Sequence, residues 1–494
     1  MLREVKYEDA VHNKIFDDLV SKRVVAVIPS HNEENDIANA LRSLTKQHVP
    51  SGCILNVFVI EDNCSDGTDK EVKKFSDQLN LYVIKTVNNK DRKAGALNTF
   101  YRLMFGDNTK DSLASNHIKA VNNIEAFLAM DADVILAKDC LSTMYKELKS
   151  TYGVASVSAN VQCLLPEKVK KVPFNIPDRE YLIKHGKYGN AFARWITVLQ
   201  NVSFTSWSLK QKSNNYSIEI ANGQTTLFSF QAMKSVYDNN RMNILYSNST
   251  DTEDEKLTED LRKLGWTCKI SNSARTYADS MKTMSSWYRQ AKKWHSGLVQ
   301  QQLEAGISTA YSRILWGRQL ILWINAIIRI LLIILVPVAL SIKDYKWNYI
   351  FFLPILISAI LNFISMLKTP IKRPIDVLFA LTTIPSEFQV WLDIIVDMSV
   401  CRDMFRVNKV DGWAIQYAAE NGTLKKNHNW VYISLTLIAA ISLGFYMKWL
   451  NVSLVINTIK PYLNGGFNIL TYLTVIMFLF MLIQLNKFRG NFRA

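Results

Sequence analysis

Short apolar runs alternate with helically spaced apolar positions through the first 280 residues or so. Residues 24–29, 58–62, 81–85, 126–130 and 154–159 read as buried strands. Between the first two, Ile37, Ala40, Leu41 and Leu44 recur at helical spacing. Strand–helix–strand alternation predicts a largely parallel sheet with helices on both faces. Beyond residue 300 the pattern changes. Residues 320–341, 347–367, 430–450 and 467–485 are apolar segments of about 20 residues, long enough to cross a bilayer. Residues 374–400 are also apolar but carry Asp376, Glu387, Asp393 and Asp397. Carboxylates are costly at mid-bilayer, so a helix lying in the interface is expected there.

With 49% hydrophobic and 20% charged residues, the 494-residue chain is neither a disordered protein nor a uniformly buried membrane protein. A water-soluble part joined to a membrane part fits both values. The net charge of +15 is uneven, with 18 Lys and Arg against 9 Asp and Glu from residue 300 on. This surplus flanks the apolar runs, which marks a cytoplasmic membrane face rather than a nucleic-acid footprint. Lys368, Lys372 and Arg373 precede the interfacial stretch, and Arg402, Arg406, Lys409, Lys425 and Lys426 follow it. Residues 1–22 are polar, with no apolar signal core, and are expected to form a cytoplasmic arm. The six cysteines show no CxxC pair, which argues against a disulfide framework or a zinc site and suits a reducing compartment.

Four polar clusters fall at predicted strand ends, where α/β sheets bind ligands. They are Pro29-Ser30-His31-Asn32-Glu33-Glu34, residues 61–68 around Asp62, Lys93-Ala94-Gly95-Ala96-Leu97-Asn98, and Asp131-Ala132-Asp133. Each alone is more readily a turn or a cap, and their joint, ordered occurrence is what points to a site. Asp131 and Asp133 can share a hard divalent cation that neutralises a diphosphate, or can end a strand in a capped turn. Lys93 is a point charge for phosphate near Gly95, where the backbone can be approached closely, or else a solvated lysine. Asp254 precedes Leu257, Leu261 and Leu264, which share one helical face. In that helix's first turn it can act as a general base on a hydroxyl, or contribute about 0.3–1 kcal/mol against the helix dipole. Thr258-Glu259-Asp260 breaks the leucine stripe and reads as helix surface. Residues 287–297 place aromatics, Gln290 and lysines just before the first span, suiting either a sugar face or an interfacial aromatic belt.

Taken together, these motifs resemble the family 2 inverting glycosyltransferases of the membrane-embedded type that includes cellulose, chitin and hyaluronan synthases. The resemblance covers about residues 22–300 by motif: Pro29…Asn32-Glu33, Asp62 with Ser65-Asp66-Gly67-Thr68, Lys93 to Asn98, Asp131-Ala132-Asp133, Thr252-Glu253-Asp254 and Gln290…Trp294. It implies an α/β GT-A (Rossmann-like) cytoplasmic domain over 23–280, an interfacial region over 281–318, and a transmembrane region over 319–494. It also implies a nucleotide diphosphate sugar as donor, a UDP-hexose or UDP-N-acetylhexosamine, held by Pro29, Asn32, Glu33, Asp62, Lys93, Asp131, Gln290, Lys293 and Trp294. Asp133 and Asp131 would hold Mg²⁺ or Mn²⁺. Glu253 and Asp254 would be the catalytic pair, with Asp254 deprotonating the acceptor, and Asn222, Gly223 and Trp294 would face the acceptor.

Two departures from that family stand out. Lys293 occupies the position of the family's arginine and lacks its bidentate geometry. No span precedes the catalytic domain, which leaves a narrower four-span pore or a homo-oligomer. The loop 405–426, with Trp413, would serve as a gating loop. The leading expectation is an integral membrane polysaccharide synthase that extends and translocates a glycan. The alternatives are a single-addition transferase acting on a lipid carrier or membrane glycolipid, and a catalytically silent transport or scaffold protein.

Overall fold

The computed structural model describes residues 3–6, 22–86, 88–106, 123–164, 191–248, 250, 252–307, 310–341, 349–369, 372–404, 430–447 and 453–487. The loop 405–426 with Trp413 and most of the N-terminal arm lie outside the described residues. The chain divides into two compact units. The first holds residues 1–282 together with Lys368–Lys372, and the second holds Thr283–Leu367 and Arg373–Gly490.

In the first unit, among the described residues, nine strands form one sheet: β1 (Arg3–Lys6), β2 (Lys22–Ser30), β3 (Cys53–Glu61), β4 (Asn80–Lys85), β5 (Ile124–Met130), β6 (Ile135–Leu136), β7 (Val154–Cys163), β8 (Thr225–Ser229) and β9 (Thr267–Ala278). Their spatial order is β1-β4-β3-β2-β5-β8-β7-β9-β6. From β1 to β5 all pairings are parallel, whereas β8 runs antiparallel to both β5 and β7. The expected parallel sheet is therefore parallel on one side and mixed on the other. The chain passes from β2 outward to β3 and β4, then returns across β2 to β5, so the strand order reverses beside β2. That reversal opens a crevice at the carboxyl ends of β2, β3 and β5.

Side-chain alternation along each strand feeds two cores. On one face, Val25, Val27, Phe58, Ile60 and Phe127 pack under helices α3 (Arg92–Phe105), α6 (Phe230–Asn239) and α7 (Glu253–Lys263). On the other, Val24, Ala26, Ile28, Val57, Val59 and Leu128 pack against α1 (Ile37–Thr45), α2 (Thr68–Lys73) and α4 (Cys140–Lys149). The helix α5 (Ala191–Ser213) completes the helices of this unit among the described residues. Phe100 anchors the first face, its ring centroid 5.1 Å from Phe58, 5.0 Å from Tyr101 and 6.1 Å from Phe127.

The second unit is helical: α8 (Met284–Ala305), α9 (Ala310–Ser341), α10 (Leu353–Lys368), α11 (Pro374–Leu381), α12 (Ile384–Met404), α13 (Trp430–Tyr446) and α14 (Ser453–Lys487). Among the described residues three helical segments are long and apolar enough to cross a membrane: Ser312–Pro337, Tyr349–Lys368 and Tyr462–Ile483. A fourth is reached if α11 and α12, bent by 67° at their junction, make one broken span. The stretch expected as a single interfacial helix is thus two helices. Pro385 has no backbone N–H to give to a helix continued from α11, and it is tolerated only in the first turn of a new one, so the break falls at residues 382–383 just before it.

The carboxylates of this stretch are paired inside the unit. Arg329 on α9 donates from Nε and Nη2, one edge of its guanidinium, to the two carboxylate oxygens of Glu387 at 3.0 and 2.7 Å, and from Nη1 to Asn325 Oδ1 at 2.8 Å. Asp397 lies 2.8 Å from His295 Nε2 and accepts from Gln319 Nε2 and Trp323 Nε1. Asp376 accepts the backbone N–H of Arg373 at 2.8 Å and so caps α11.

Phe100→Ala is expected to remove about 3–5 kcal/mol of stability by leaving a cavity under the sheet. The thermal midpoint of the detergent-solubilised chain reads this directly, and an unchanged midpoint would contradict the packing described.

Candidate active site

The crevice is framed by loops that brace one another. Asn32 and Asn63 both take the left-handed backbone conformation, with φ of 57° and 50°, which asparagine tolerates better than most residues. Asn32 Oδ1 accepts the backbone N–H of Ser65 at 2.8 Å, and Thr68 Oγ1 accepts that of Glu33 at 2.8 Å. Glu34 accepts the N–H of Gly67 at 2.8 Å, where a β-carbon would stand 2.7 Å from the same carboxylate oxygen. The motifs after β2 and β3 thus form one hydrogen-bonded unit. In it Asn32 and Glu33 act through their positions against the second loop.

Asp62, at the end of β3, is nearly buried, and its Oδ1 accepts from Thr86 at 2.8 Å, Asn89 at 2.8 Å and Asn63 at 3.2 Å. Asn89 in turn sits so close to Gly95 that any β-carbon there would meet its Oδ1 at 2.0 Å. Glycine is required at this position by close approach. Two turns into the same motif, buried Asn98 bonds the backbone N–H groups of Leu245 and Tyr246 at 3.0 and 2.9 Å and the Tyr246 carbonyl at 2.7 Å.

Lys93 lies in the first turn of α3. Its Nζ is 2.5 Å from Asp131 Oδ1, at the end of β5, and 3.8 Å from Glu253 Oε1. Burial alone would lower its pKa, but the carboxylates of Asp131, Glu253 and Asp254 outweigh it and hold the ammonium above its ordinary value. Asp254, in the first turn of α7, accepts the N–H of Gly223 on Oδ2 at 3.0 Å and that of Glu255 on Oδ1 at 2.9 Å. Burial pushes its pKa up, against the pull of Lys93 and these two N–H groups. Gly223 is as small as the site allows, since a β-carbon would come within 3.0 Å of Lys93 Nζ and 3.4 Å of Asp254 Oδ2. Asn222 Oδ1 accepts the N–H of Thr225 at 3.0 Å, which fixes the turn into β8.

One pocket gathers Pro29, Lys93, Asn222, Gly223, Glu253 and Asp254, together with Leu97, Met130, Phe228 and Tyr246. Tyr246 carries no motif in the sequence. Burial, then Glu253 and Asp254, hold its phenol above the ordinary value, so it stays an O–H donor. Asn32, Glu33, Asp62 and Asp133 lie at the same sheet edge but not in the pocket lining. Gln290, Lys293 and Trp294 lie on α8 of the second unit. There Lys293 is buried and Trp294 is exposed.

Among the described residues no three His, Cys, Asp or Glu side chains converge as a metal cluster. Asp133 nevertheless sits in a surplus of negative charge. Burial, then Asp131, Asp36 and Asp279, push its carboxyl up to about 7. A hard cation that takes one or two carboxylates and completes its shell with water and phosphate oxygens fits this donor set. Asp36 and Asp279 are distant in sequence, and only the fold reveals them as neighbours of Asp133.

Residue 258 departs from expectation. Thr258 is fully buried, donates to the carbonyl of Asp254 at 2.7 Å and accepts the N–H of Ala221 at 2.9 Å. Glu259 and Asp260, by contrast, pair with Lys256 along the helix at 2.9 and 2.8 Å.

Residues 25–197 match the family model described as Glycosyl transferase family 2, and residues 126–365 match Glycosyl transferase family group 2. No curated protein sequence matches the chain. Among solved structures it is similar to the mannosyltransferase PcManGT from Pyrobaculum calidifontis in complex with GDP-Man and Mn²⁺. The identity is 16%, covering 90% of this chain and 92% of that one, with a TM-score of 0.37. It is also similar to S. aureus TarS 1–349 in complex with UDP-GlcNAc, at 15% identity, 79% and 95% coverage and a TM-score of 0.35. The first unit has the curled mixed sheet of a Rossmann-like GT-A domain, and a helical region follows it.

Asn98→Ala would strand the two N–H groups of Leu245 and Tyr246, at about 1–3 kcal/mol each. The expected outcome is a lowered thermal midpoint together with weaker nucleotide binding, measured by calorimetry. A variant with wild-type values in both would remove Asn98 from the framework of the site.

Proposed function

We propose that the family 2 glycosyltransferase domains of this chain transfer a sugar from a nucleotide diphosphate sugar to an acceptor hydroxyl, with inversion at the anomeric carbon. The observation that carries this reading is Asp254, held by two backbone N–H groups in the pocket that also holds Lys93, whose ammonium pairs with Asp131. Asp254 takes the proton of the acceptor hydroxyl. The freed oxygen electron pair bonds the anomeric carbon, and the bond from that carbon to the diphosphate breaks, its electrons leaving with the nucleotide. A raised carboxyl pKa makes Asp254 a stronger base than an exposed aspartate. Lys93 offers a cation to the departing diphosphate, moving between it and Asp131. Asp133 and Asp131 would hold Mg²⁺ or Mn²⁺, which would supply electrostatic stabilisation of the leaving group. Asp62 and the loops around Asn32 and Glu33 would bind the nucleoside side of the donor. Pro29 would wall the pocket beneath it, and Asn222 and Gly223 would border the acceptor. Gln290, Lys293 and Trp294 are assigned by resemblance to the acceptor terminus and the donor diphosphate.

For product, we favour an extended glycan passed across the membrane, supported by the apolar helices of the second unit. A cytoplasmic catalytic unit is supported by the basic segment at Lys368, Lys372 and Arg373.

The test uses the full chain in proteoliposomes with Mg²⁺ or Mn²⁺ and a panel of labelled UDP- and GDP-sugars, following nucleotide release and product size. Asp254→Asn should abolish turnover while nucleotide binding persists; turnover at the wild-type rate would overturn the role of Asp254. Since the base must be ionised, wild-type turnover should fall as the pH drops through a value above the ordinary carboxylate range. A high-molecular-weight product supports the synthase, and a lipid-partitioning product with one added sugar replaces it with single addition.

A further inference from the structure

The helix that carries Asp254 is fastened along one face to the segment leading into β8. Residues 254, 258 and 262 of α7 stand four apart, so they form one row on the helix. They meet residues 223, 221 and 218 in reverse order. Asp254 Oδ2 accepts the N–H of Gly223 at 3.0 Å, Thr258 Oγ1 accepts that of Ala221 at 2.9 Å, and the Arg262 guanidinium donates to the carbonyl of Ile218. The Thr258 hydroxyl gives its own proton to the carbonyl of Asp254 at 2.7 Å. A closed ring results: the carboxylate of Asp254 holds Gly223, and its carbonyl reaches Ala221 through Thr258.

On its far side the same segment is held by the sheet. Asn222 Nδ2 donates to the Ala159 carbonyl on β7 at 3.2 Å, and Thr226 Oγ1 on β8 donates to the Asn222 carbonyl at 2.7 Å. The Gln224 carbonyl accepts the N–H of Asp131, just after β5, at 3.2 Å. Of the two N–H groups on Asp254, that of Glu255 belongs to the same helical turn and moves with it. The Gly223 N–H is the one that sets the carboxylate against another part of the site. Thr258 is the next rung along and is fully buried, so no water stands ready to replace its hydroxyl.

We propose that Thr258 is a positioning residue for sugar transfer: its hydroxyl holds residues 221–223 against α7 and so keeps the Gly223 N–H on the carboxylate of Asp254. The inference rests on the reading of Asp254 as the base. A hydrogen bond to a carboxylate favours the ionised form, so loss of the Gly223 contact lets Asp254 keep its proton to a higher pH. The titratable groups around Asp254 are Lys93 from α3, Asp131 after β5, Tyr246, and Glu253 and Glu255 on α7. Replacing Thr258 leaves every one of them in place.

The test compares Thr258→Val, Thr258→Ala and Thr258→Ser with wild type, using the full chain in proteoliposomes with the donor that the nucleotide-sugar panel identifies. Turnover is followed against pH, binding of the free nucleotide by calorimetry, and the thermal midpoint in parallel. Thr258→Val and Thr258→Ala should lower kcat about ten- to a hundredfold through misplacement of the base. Their acid limb should move to higher pH while nucleotide binding holds, and Thr258→Ser should restore both kcat and the limb. Thr258→Ala decides the matter if the valine methyl, crowded by the Ala221 N–H and the Asp254 carbonyl, prevents folding. A lowered midpoint with kcat and the acid limb unchanged would make Thr258 purely structural and overturn the proposal. Nucleotide binding lost in step with turnover, or a serine variant as impaired as alanine, would overturn it too. Asp254→Asn separates the two readings. If it turns over normally, the base and its positioning residue both fall; if it is silent while the valine and alanine variants behave as wild type, the role of Thr258 alone falls.

Discussion

A single half-buried ammonium keeps the candidate pocket from repelling itself. Lys93 faces Asp131, Glu253 and Asp254, carboxylates delivered by two separate segments of the chain. Without the cation, the end of β5 and the start of α7 would bring like charges together in a poorly solvated space, and either the acids would protonate or the strand ends would part. The short stretch that carries Lys93 does more than supply charge. Asn89 just before it grips Asp62, and Asn98 just after it grips the backbone at Leu245 and Tyr246. Ten residues therefore set the mutual positions of three loops, and Gly95 at their centre permits the tight approach on which this depends.

The helical unit solves a related problem with different means. Among the described residues three of its carboxylates have partners of different kinds: Glu387 has Arg329, Asp397 has His295, Gln319 and Trp323, and Asp376 has the start of its own helix. Position 319 meets 397 and position 329 meets 387, so equal steps in opposite directions mark α9 and α12 as an antiparallel pair. Pairing of this kind lets polar groups reside in an otherwise apolar bundle.

The strand ends were legible because apolar runs of four to six residues stop abruptly at Asp62, Asp131 and the Pro29–Glu34 stretch, and a sheet buried on both faces leaves that signature. β8 and β9 were not, since Thr225–Ser229 is short and rich in hydroxyls, and Thr267–Ala278 carries Ser271, Asn272, Ser273 and Arg275 through its middle. Their polar groups are satisfied by neighbours remote in sequence, as with Asn160, which bonds the carbonyls of Ser271 and Ala274. Thr258 misled because it breaks the leucine stripe, while its partner Ala221 is reachable only after folding. Asp254 was legible as a first-turn carboxylate, but its contact with Gly223 was not. The carboxylates at 376, 387, 393 and 397 announced an unusual helix, and the break near Pro385 and the partners on α9 became visible only in three dimensions.

Arg329 bears on how such a chain enters a bilayer. It stands well inside the apolar segment Ser312–Pro337, where an unpaired arginine costs about 2.5–3.5 kcal/mol on insertion. Its carboxylate partner emerges from the ribosome 58 residues later. The segment carrying Arg329 is thus an incomplete passenger during synthesis, best sheltered at the insertion machinery until α12 has been made. The two helices would then leave for lipid together, as one neutralised antiparallel pair with α10 and α11 between them in the chain, rather than in succession.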